Sequence, residues 1–504
     1  MSAGGADSSV SGTSVSVSAG AAGAGGGAGG GGTVAAIDLG ATSGRVIVGR
    51  VGPDTLEATT VGRFANDPVA TPDGLHWNLL GLYGAALAGL RDALRGAPDI
   101  ASIGVDSWAV DYGLLRDGRL LGTPFHYRDA RTERGVVAVH ERMPHSDLYR
   151  RNGLQFLPFN TLYQLAAEPA DLLAFADTAL LVPDLIGYWL TGQARTEVTN
   201  ASTTGLLRAD TRTWDDELLT TLGLPRGILP PLIAPGERLG ALLPEVAASL
   251  GARSDVAVTA VGSHDTASAV VAVPMRAESA AYISCGTWGL VGVEVERPVL
   301  TDEALAANFT NEGGVDGRVR LLHNVMGLWV LSETVRGWER EGHRIDLPAL
   351  LDSATQVDAA SVPVFDVDDP RFLPPGDMPA RIAAWCDEHG VAAPRTHAEF
   401  ARSIVESLAQ AFADTARLAG RIGGVDVETI HIVGGGSLNR LLCQRTADRA
   451  GMPVLAGPVE ATALGNLLVQ GRAAGFVGGS LESLRDLVAR THAPTRYDPR
   501  PAAE

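Results

Sequence analysis

The chain has 504 residues, a formal net charge of −18 and 45% hydrophobic residues. That length suits two or three domains with real cores, and the excess of acid repels phosphate backbones, which makes nucleic acid and anionic membrane poor partners. No apolar run reaches membrane-spanning length. Every basic residue is an arginine. Without lysine there is no P-loop lysine, no protein-kinase strand lysine and no Schiff-base amine. Any phosphate handled here must therefore be held by backbone amides, hydroxyls, a metal ion and arginine. Cys285, Cys386 and Cys443 are far apart and form neither a zinc motif nor a disulfide framework. They read as small buried apolar residues, and a reducing cytoplasm is the expected compartment.

Residues 1–32 are mostly glycine, alanine, serine and valine, with one acidic residue and no arginine, and read as a flexible low-complexity tail without a secretory or transit signal. Thr33–Ile37 and Val46–Val48 are β-branched runs on either side of Asp38-Leu-Gly-Ala-Thr-Ser-Gly-Arg45, which predicts strand, tight turn, strand. The turn offers backbone N–H groups, the hydroxyls of Thr42 and Ser43, and Arg45, with nothing bulky at Ala41 or Gly44. That is a cradle for phosphate oxygens, or else an ordinary hairpin. Asp38, ending the first strand, is placed to hold a hydrated Mg²⁺ that bridges those phosphates.

Leu56–Phe64 reads as a third strand, and Asn78 caps a helix with apolar positions Leu79, Leu82, Ala86 and Leu90. The next strand is Ile100–Val105. This order predicts an α/β layer with a mainly parallel sheet, whose ligands lie beyond the carboxyl ends of the strands. Asp106 and Asp111 stand there; either also suits a turn cap. Tyr112–Leu115 and Arg119–Leu121 form a hairpin about Asp117-Gly118. Arg128, Asp129 and Arg131 form a cluster that binds a polar ligand or, the commoner case, a surface ion-pair group. Residues 133–250 read as mostly helical, with Leu180–Leu190 in the core. A strand at Val256–Val261 enters Gly262-Ser-His-Asp-Thr266 and a helix of small residues. Asp265 either points into a cleft from this rigid junction or serves only as the helix N-cap.

Ala280–Ser284, Cys285-Gly-Thr-Trp-Gly289 and Leu290–Glu294 repeat the strand–turn–strand of the first hairpin. The recurrence suggests an internal duplication with two phosphate hairpins facing each other. A helix through Trp338 buries Leu328, Leu331, Val335 and Trp338, and residues 340–395 read as irregular and proline-bearing. Thr396 and Glu399 form a capping box ahead of a long helix burying Ile404, Leu408, Phe412, Leu418 and Ile422. Strand Thr429–Val433, the glycines 434–436 and a helix from Arg440 make a nucleotide-approach geometry with an electropositive helix start. Val459–Gly465 opens a last small-residue helix.

Asp38-Leu-Gly-Ala-Thr-Ser-Gly-Arg45, Gly262-Ser-His-Asp-Thr266, Cys285-Gly-Thr-Trp288 and Gly434-Gly-Gly-Ser437 together resemble the FGGY carbohydrate kinases. Gly104–Trp108, Tyr127–Thr132, Asn308–Glu312 and Asn324–Trp329 support the resemblance, which runs in the family's order from about Thr33 to about Arg490. It implies an α/β fold of two actin-like, ribonuclease H-like domains around a cleft: a sugar-binding domain over 33–272 and an ATP-binding domain over 273–490, with 491–504 as a tail. It implies ATP- and Mg²⁺-dependent phosphorylation of a ketose, L-rhamnulose at its 1-hydroxyl, with L-fuculose or L-xylulose as alternatives. Carried over by position, Asp265 is the base, and His264, Thr266 and Asn324 bond the ketose. Ala41, Thr42, Ser43, Gly44 and Arg45 approach the ATP phosphates, and Thr287, Gly434, Gly435 and Gly436 lie against the nucleotide. Two positions depart from the usual pattern: Ala109 stands where a glycine follows the tryptophan beside the sugar, and Ser332 where a glutamine contacts ATP. A different class, a non-catalytic actin-like ATP-binding protein, would be a filament former or a repressor, and a repressor calls for a basic helix-turn-helix. The expected assembly is a cytoplasmic monomer or homodimer.

Overall fold

The runs flanking the first turn form β1 (Gly32–Leu39) and β2 (Ser43–Gly52), paired antiparallel with Asp38 opposite Arg45. In the computed structural model, which describes residues 30–500, β3 (Thr55–Ala65) extends this hairpin. On the other side β4 (Ser102–Ser107) runs parallel to β1 and sets Asp106 beside Asp38. β5 (Arg238–Ala241) and β6 (Ala257–Thr259) complete the order β5-β6-β4-β1-β2-β3. The tail expected at residues 1–32 lies, as far as residue 29, outside the described residues.

The second sheet repeats this plan. β7 (Ala280–Cys285) and β8 (Gly289–Val295) form an antiparallel hairpin, which β9 (Thr310–Gly313) and β10 (Val319–Val325) continue. Beyond β7 come β11 (Thr429–Val433) and β12 (Val454–Ala456), both parallel, and β13 (Thr495–Tyr497), antiparallel, formed within the stretch read as a tail. The repeat seen in the sequence is thus one of topology. The expectation of a mainly parallel sheet is corrected: both sheets are mixed. Short glycine-bearing turns join consecutive strands as hairpins, and only strands reached through helical crossovers run parallel.

Seven helices position the site. α1 (Leu79–Gly96) starts as predicted, with the Asn78 side chain accepting the Gly81 N–H, and buries Leu79, Leu82, Ala86 and Leu90. α2 (Asp265–Val271) and α3 (Trp329–Arg340) follow. α4 (His397–Gly423) forms both halves of the Thr396–Glu399 capping box and buries Ile404, Leu408 and Phe412 against the second sheet. α5 (Arg440–Ala450), α6 (Ala461–Ala473) and α7 (Leu481–Thr491) complete the set. The stretch read as irregular at 340–395 contains helices Leu347–Thr355 and Met378–Glu388. Pro348 and Pro379 sit in their first turns, where a missing N–H costs nothing, and Asp346 and Asp377 cap them.

The lobes meet where α2 crosses α6. A β-carbon at Gly465 would collide with the Ser268 carbonyl oxygen. α6 also lies on the first sheet: Asn466 Nδ2 donates to Asp106 Oδ2 at 2.5 Å and Gln470 Nε2 to the Ala35 carbonyl at 2.9 Å. A helix near the chain's end is thereby built into the lobe formed by its beginning. Gly465→Val is expected to cost about 1–3 kcal/mol through overpacking, read as a lower urea midpoint; an unchanged midpoint would contradict so close a crossing.

Asp111 organises the aromatic floor of the first lobe. Its Oδ2 accepts from Trp77 Nε1 at 2.5 Å, Trp108 Nε1 at 3.1 Å and the Tyr127 N–H at 3.1 Å, and its Oδ1 from Gln164 Nε2 at 2.8 Å. Burial nevertheless pushes its carboxyl up to about 6, with these four donors opposing. The fold thus favours the neutral acid. That contribution is full below the unfolded value near 3.8 and is lost as pH rises through about 6. The stability of the wild type relative to Asp111→Asn should therefore fall by up to about 3 kcal/mol between pH 4 and pH 7. Calorimetry of both proteins across that range checks this, and a constant difference would refute it.

Candidate active site

Three glycine-bearing turns and one strand–helix junction open onto a single cavity of about 520 Å³. Gly40, Ala41 and Thr42 come from the β1–β2 turn, Gly286, Thr287 and Trp288 from the β7–β8 turn, and Gly434 and Gly435 from the end of β11. His264, Asp265 and Thr266 come from the start of α2. Asp38, Arg45, Ala109 and Asn324 also line it. Four residues named from the sequence do not. Ser43 and Gly44 begin strand β2, where a β-carbon on Gly44 would run into the Phe64 ring. Gly436 packs on the Cys285 side chain, and Ser332 lies exposed on α3.

Asp265 is not a helix cap. His264 occupies the N-cap position of α2, and no side chain caps the helix there. The Asp265 carboxylate, 30% exposed, lies 3.4 Å from His264 Nε2 and accepts from Thr266 Oγ1 at 3.1 Å. Behind it, Arg320 Nη2 donates to His264 Nδ1 at 3.0 Å, and Glu312 Oε2 stands 3.1 Å from the same guanidinium nitrogen. Glu312 Oε2 also lies 3.3 Å from His264 Nδ1, so the imidazole is set between Glu312 behind it and Asp265 in front. Burial acts to raise the Glu312 carboxyl, but the Arg320 and His264 charges outweigh it and hold it below the usual range.

Asp38 is buried and bound by Arg45, with Nε at 2.9 Å and Nη2 at 2.7 Å from Oδ2. Arg45 also pairs through Nη1 with Glu460, at the start of α6, so this ion pair crosses the cleft. Burial raises the Asp38 carboxyl, Arg45 opposes, and the Asp265 charge raises it further. Asp106 is held well above the ordinary carboxylate range by burial and by the Asp38 charge, and its Oδ1 has no hydrogen-bond partner. Carboxyl groups that raise one another in this way repel when ionised, and a hard divalent cation such as Mg²⁺ on their oxygens would relieve that repulsion. Among the described residues no three acidic, imidazole or thiolate side chains stand together as a metal cage. An ion at Asp38 would draw its remaining ligands from water and phosphate, as Mg²⁺ does.

Beside Ala109 the backbone makes a three-residue turn. The Asp111 N–H donates to the Ala109 carbonyl at 2.9 Å, and Val110 is forced to φ +69°. Thr161 Oγ1 donates to the Val110 carbonyl at 2.7 Å and holds this strained, β-branched residue in place. Trp108, Val110, Tyr127, Leu157 and Phe159 give this end of the cavity an apolar wall. Asn324 Nδ2 donates across the lobes to Gln155 Oε1 at 2.9 Å.

Sequence reasoning passed over Glu312, Glu460, Thr462, Asn160 and Thr203, all of which line the cavity. Only Glu312, inside the stretch Asn308–Glu312, carried a signal. The Arg128–Arg131 cluster is neither a surface group nor part of the cavity lining. Arg131 Nη1 pairs with Glu168 at 3.0 Å, and Arg128 lies 4.5 Å over the Trp329 ring and donates to the Leu373 carbonyl at 3.1 Å. Cys285, Cys386 and Cys443 are free and buried. No helix among the described residues is long and apolar enough to cross a membrane.

Comparison with known proteins agrees with this architecture. Residues 33–272 match the N-terminal domain of the FGGY family of carbohydrate kinases, and residues 281–474 its C-terminal domain. The chain is 43% identical over 475 residues to the rhamnulokinase of Pectobacterium carotovorum subsp. carotovorum (strain PC1), covering 93% of each. It is 40% identical to that of Enterobacter sp. (strain 638), covering 93% of this chain and 95% of the relative. Its fold is similar to that of a ligand-bound xylulose kinase from Lactobacillus acidophilus, with TM-score 0.75 at 19% identity, covering 93% of this chain and 94% of that one. It is also similar to Plasmodium falciparum glycerol kinase with ADP, with TM-score 0.73 at 14% identity and the same coverage. With both halves of the family matched and relatives this similar along nearly the whole chain, this protein belongs to the FGGY family of carbohydrate kinases.

Proposed function

We propose that the chain transfers the γ-phosphoryl group of ATP to the 1-hydroxyl of L-rhamnulose, with Asp265 as the base. The observation that carries this reading is the presence of Asp265 in the same cavity as glycine-bearing turns from both lobes. The choice of sugar follows the relatives at 40–43% identity, which are rhamnulokinases. The ATP phosphates lie along Ala41, Thr42 and Arg45, with Thr287, Gly434 and Gly435 against the nucleotide. The ketose lies between the wall at Ala109 and the polar groups of His264, Thr266 and Asn324. Asp38 would hold Mg²⁺, and the ion would supply neutralisation of the phosphate charge.

Phosphoryl transfer needs alignment, charge neutralisation and a base, and little covalent chemistry from the protein. As the sugar oxygen bonds to the γ-phosphorus and the β–γ bridge breaks, Asp265 takes the hydroxyl proton. His264, with Nε2 3.4 Å from that carboxylate, orients it toward the sugar. Arg45 is neutralised by Asp38 and Glu460, so an arriving phosphate competes with Glu460 for it. Closure of the lobes excludes water that would otherwise hydrolyse ATP. The reading places the enzyme in the cytoplasm, as a monomer or homodimer. Asp265→Asn should leave the fold and ATP binding intact, by calorimetry, and lower turnover by about 10² or more; near-normal turnover would refute the role of the base. ADP release measured with L-rhamnulose, L-fuculose and L-xylulose singly should be fastest with L-rhamnulose, and preference for another ketose would reassign the substrate.

A further inference from the structure

The junction that carries Asp265 is held from behind by a buried acid outside the cavity. Glu197 ends the short strand Thr196–Glu197, caps the helical turn Val198–Ala201, and is 2% exposed. Its Oε2 accepts from the Ser263 N–H at 2.9 Å and from Ser263 Oγ at 2.9 Å, two residues before Asp265. The same oxygen accepts from Thr199 Oγ1 at 2.5 Å, while Oε1 accepts from the Thr199 N–H at 2.8 Å. Thr199 Oγ1 in turn receives the His264 N–H at 3.4 Å. The Ser263 carbonyl accepts from the Ser107 N–H at 2.9 Å, which ties the junction to the end of β4. The Glu197 N–H is itself held by Asp184 Oδ1 at 3.1 Å.

These donors converge on one carboxylate from two separate segments. One leads through Ser263 to Asp265. The other leads on to Ser202, whose Oγ accepts the Gly313 N–H of the second lobe at 2.7 Å, and to Thr203 in the cavity wall. Both carboxylate oxygens are needed because the N–H groups on either side can only donate. A carboxamide offers one acceptor and turns its NH₂ against a donor on the other side. Leaving a buried donor unpaired costs more than losing the bond.

We propose that Glu197 is a positioning residue for phosphoryl transfer: it fixes the backbone at Ser263 and thereby the direction in which Asp265 meets the sugar hydroxyl. This rests on the reading of Asp265 as the base. Glu197 touches neither substrate, so its substitution should act on the chemical step and leave nucleotide affinity alone.

Glu197→Gln is expected to lower kcat about 10-fold or more, since small misplacements of a reacting group are costly, with KM for ATP within about twofold. In an Asp265→Asn background the same substitution should lower the residual turnover no further, because the group it positions is gone. Ser263→Ala removes one bond of the set, should lower kcat several-fold, and decides the matter if Glu197→Gln does not fold. An unchanged kcat, or a loss that persists in the Asp265→Asn background, would overturn the proposal. Hydrogen exchange of the amides over residues 262–266 reads the same question without turnover. Faster exchange in Glu197→Gln, confined to that stretch, is expected, and unchanged exchange would overturn the positioning role even if the sugar assigned above proved wrong.

Discussion

The close crossing of α2 and α6 sets the geometry on which the cleft depends. Gly465 leaves room for the Ser268 carbonyl where any side chain would force the helices apart. α2 begins with Asp265, and α6 follows directly on Glu460, which takes Arg45 across the cleft. Both helices therefore end at the floor of the cavity, and their separation fixes how far the glycine turns of one sheet stand from those of the other. The Asn466 bond to Asp106 extends this coupling into the first sheet. A contact between small residues thus decides where the charged groups stand.

Charge is the second constraint. Asp38 and Asp106 are raised by burial and by neighbouring carboxylates, with Arg45 as the main opposing charge. Arg320 plays the corresponding part for Glu312 and His264 behind Asp265. An acidic cleft in an acidic protein is a poor place for free ATP, and a divalent cation at Asp38, as proposed, would reconcile the two. The absence of lysine fits the proposed division of labour, in which hydroxyls, backbone N–H groups, arginine and a metal ion would share what a lysine does elsewhere.

The parts of the site that were legible in the sequence were those made by local chemistry. Strand–turn–strand at Asp38–Arg45 and at Cys285–Gly289, the Asn78 cap and the Thr396–Glu399 box all depend on neighbours within a few residues, and all are present. The stretch 340–395 was misread although its signals are local: Asp346 and Asp377 cap helices whose first turns hold Pro348 and Pro379. Other misreadings come from partners distant in the chain. Arg128 read as a surface or ligand group because the Trp288 and Trp329 rings that it faces lie far along the chain. Asn466 and Gln470 carried no signal in the sequence. Their partners Asp106 and Ala35 belong to the other lobe, and no pattern within the helix reveals them. Mixed sheets were read as parallel because helical crossovers weigh more in a linear reading than hairpins do.

The central claim is that one cleft between the lobes holds both substrates with Asp265 between them. A crystal structure with Mg²⁺, a non-hydrolysable ATP analogue and L-rhamnulose tests it most directly. The account predicts the γ-phosphate between the Ala41–Arg45 turn and the glycines 434–435, and the sugar 1-hydroxyl within hydrogen-bond distance of the Asp265 carboxylate. Either ligand seated outside this cavity, or a sugar hydroxyl facing away from Asp265, would contradict it.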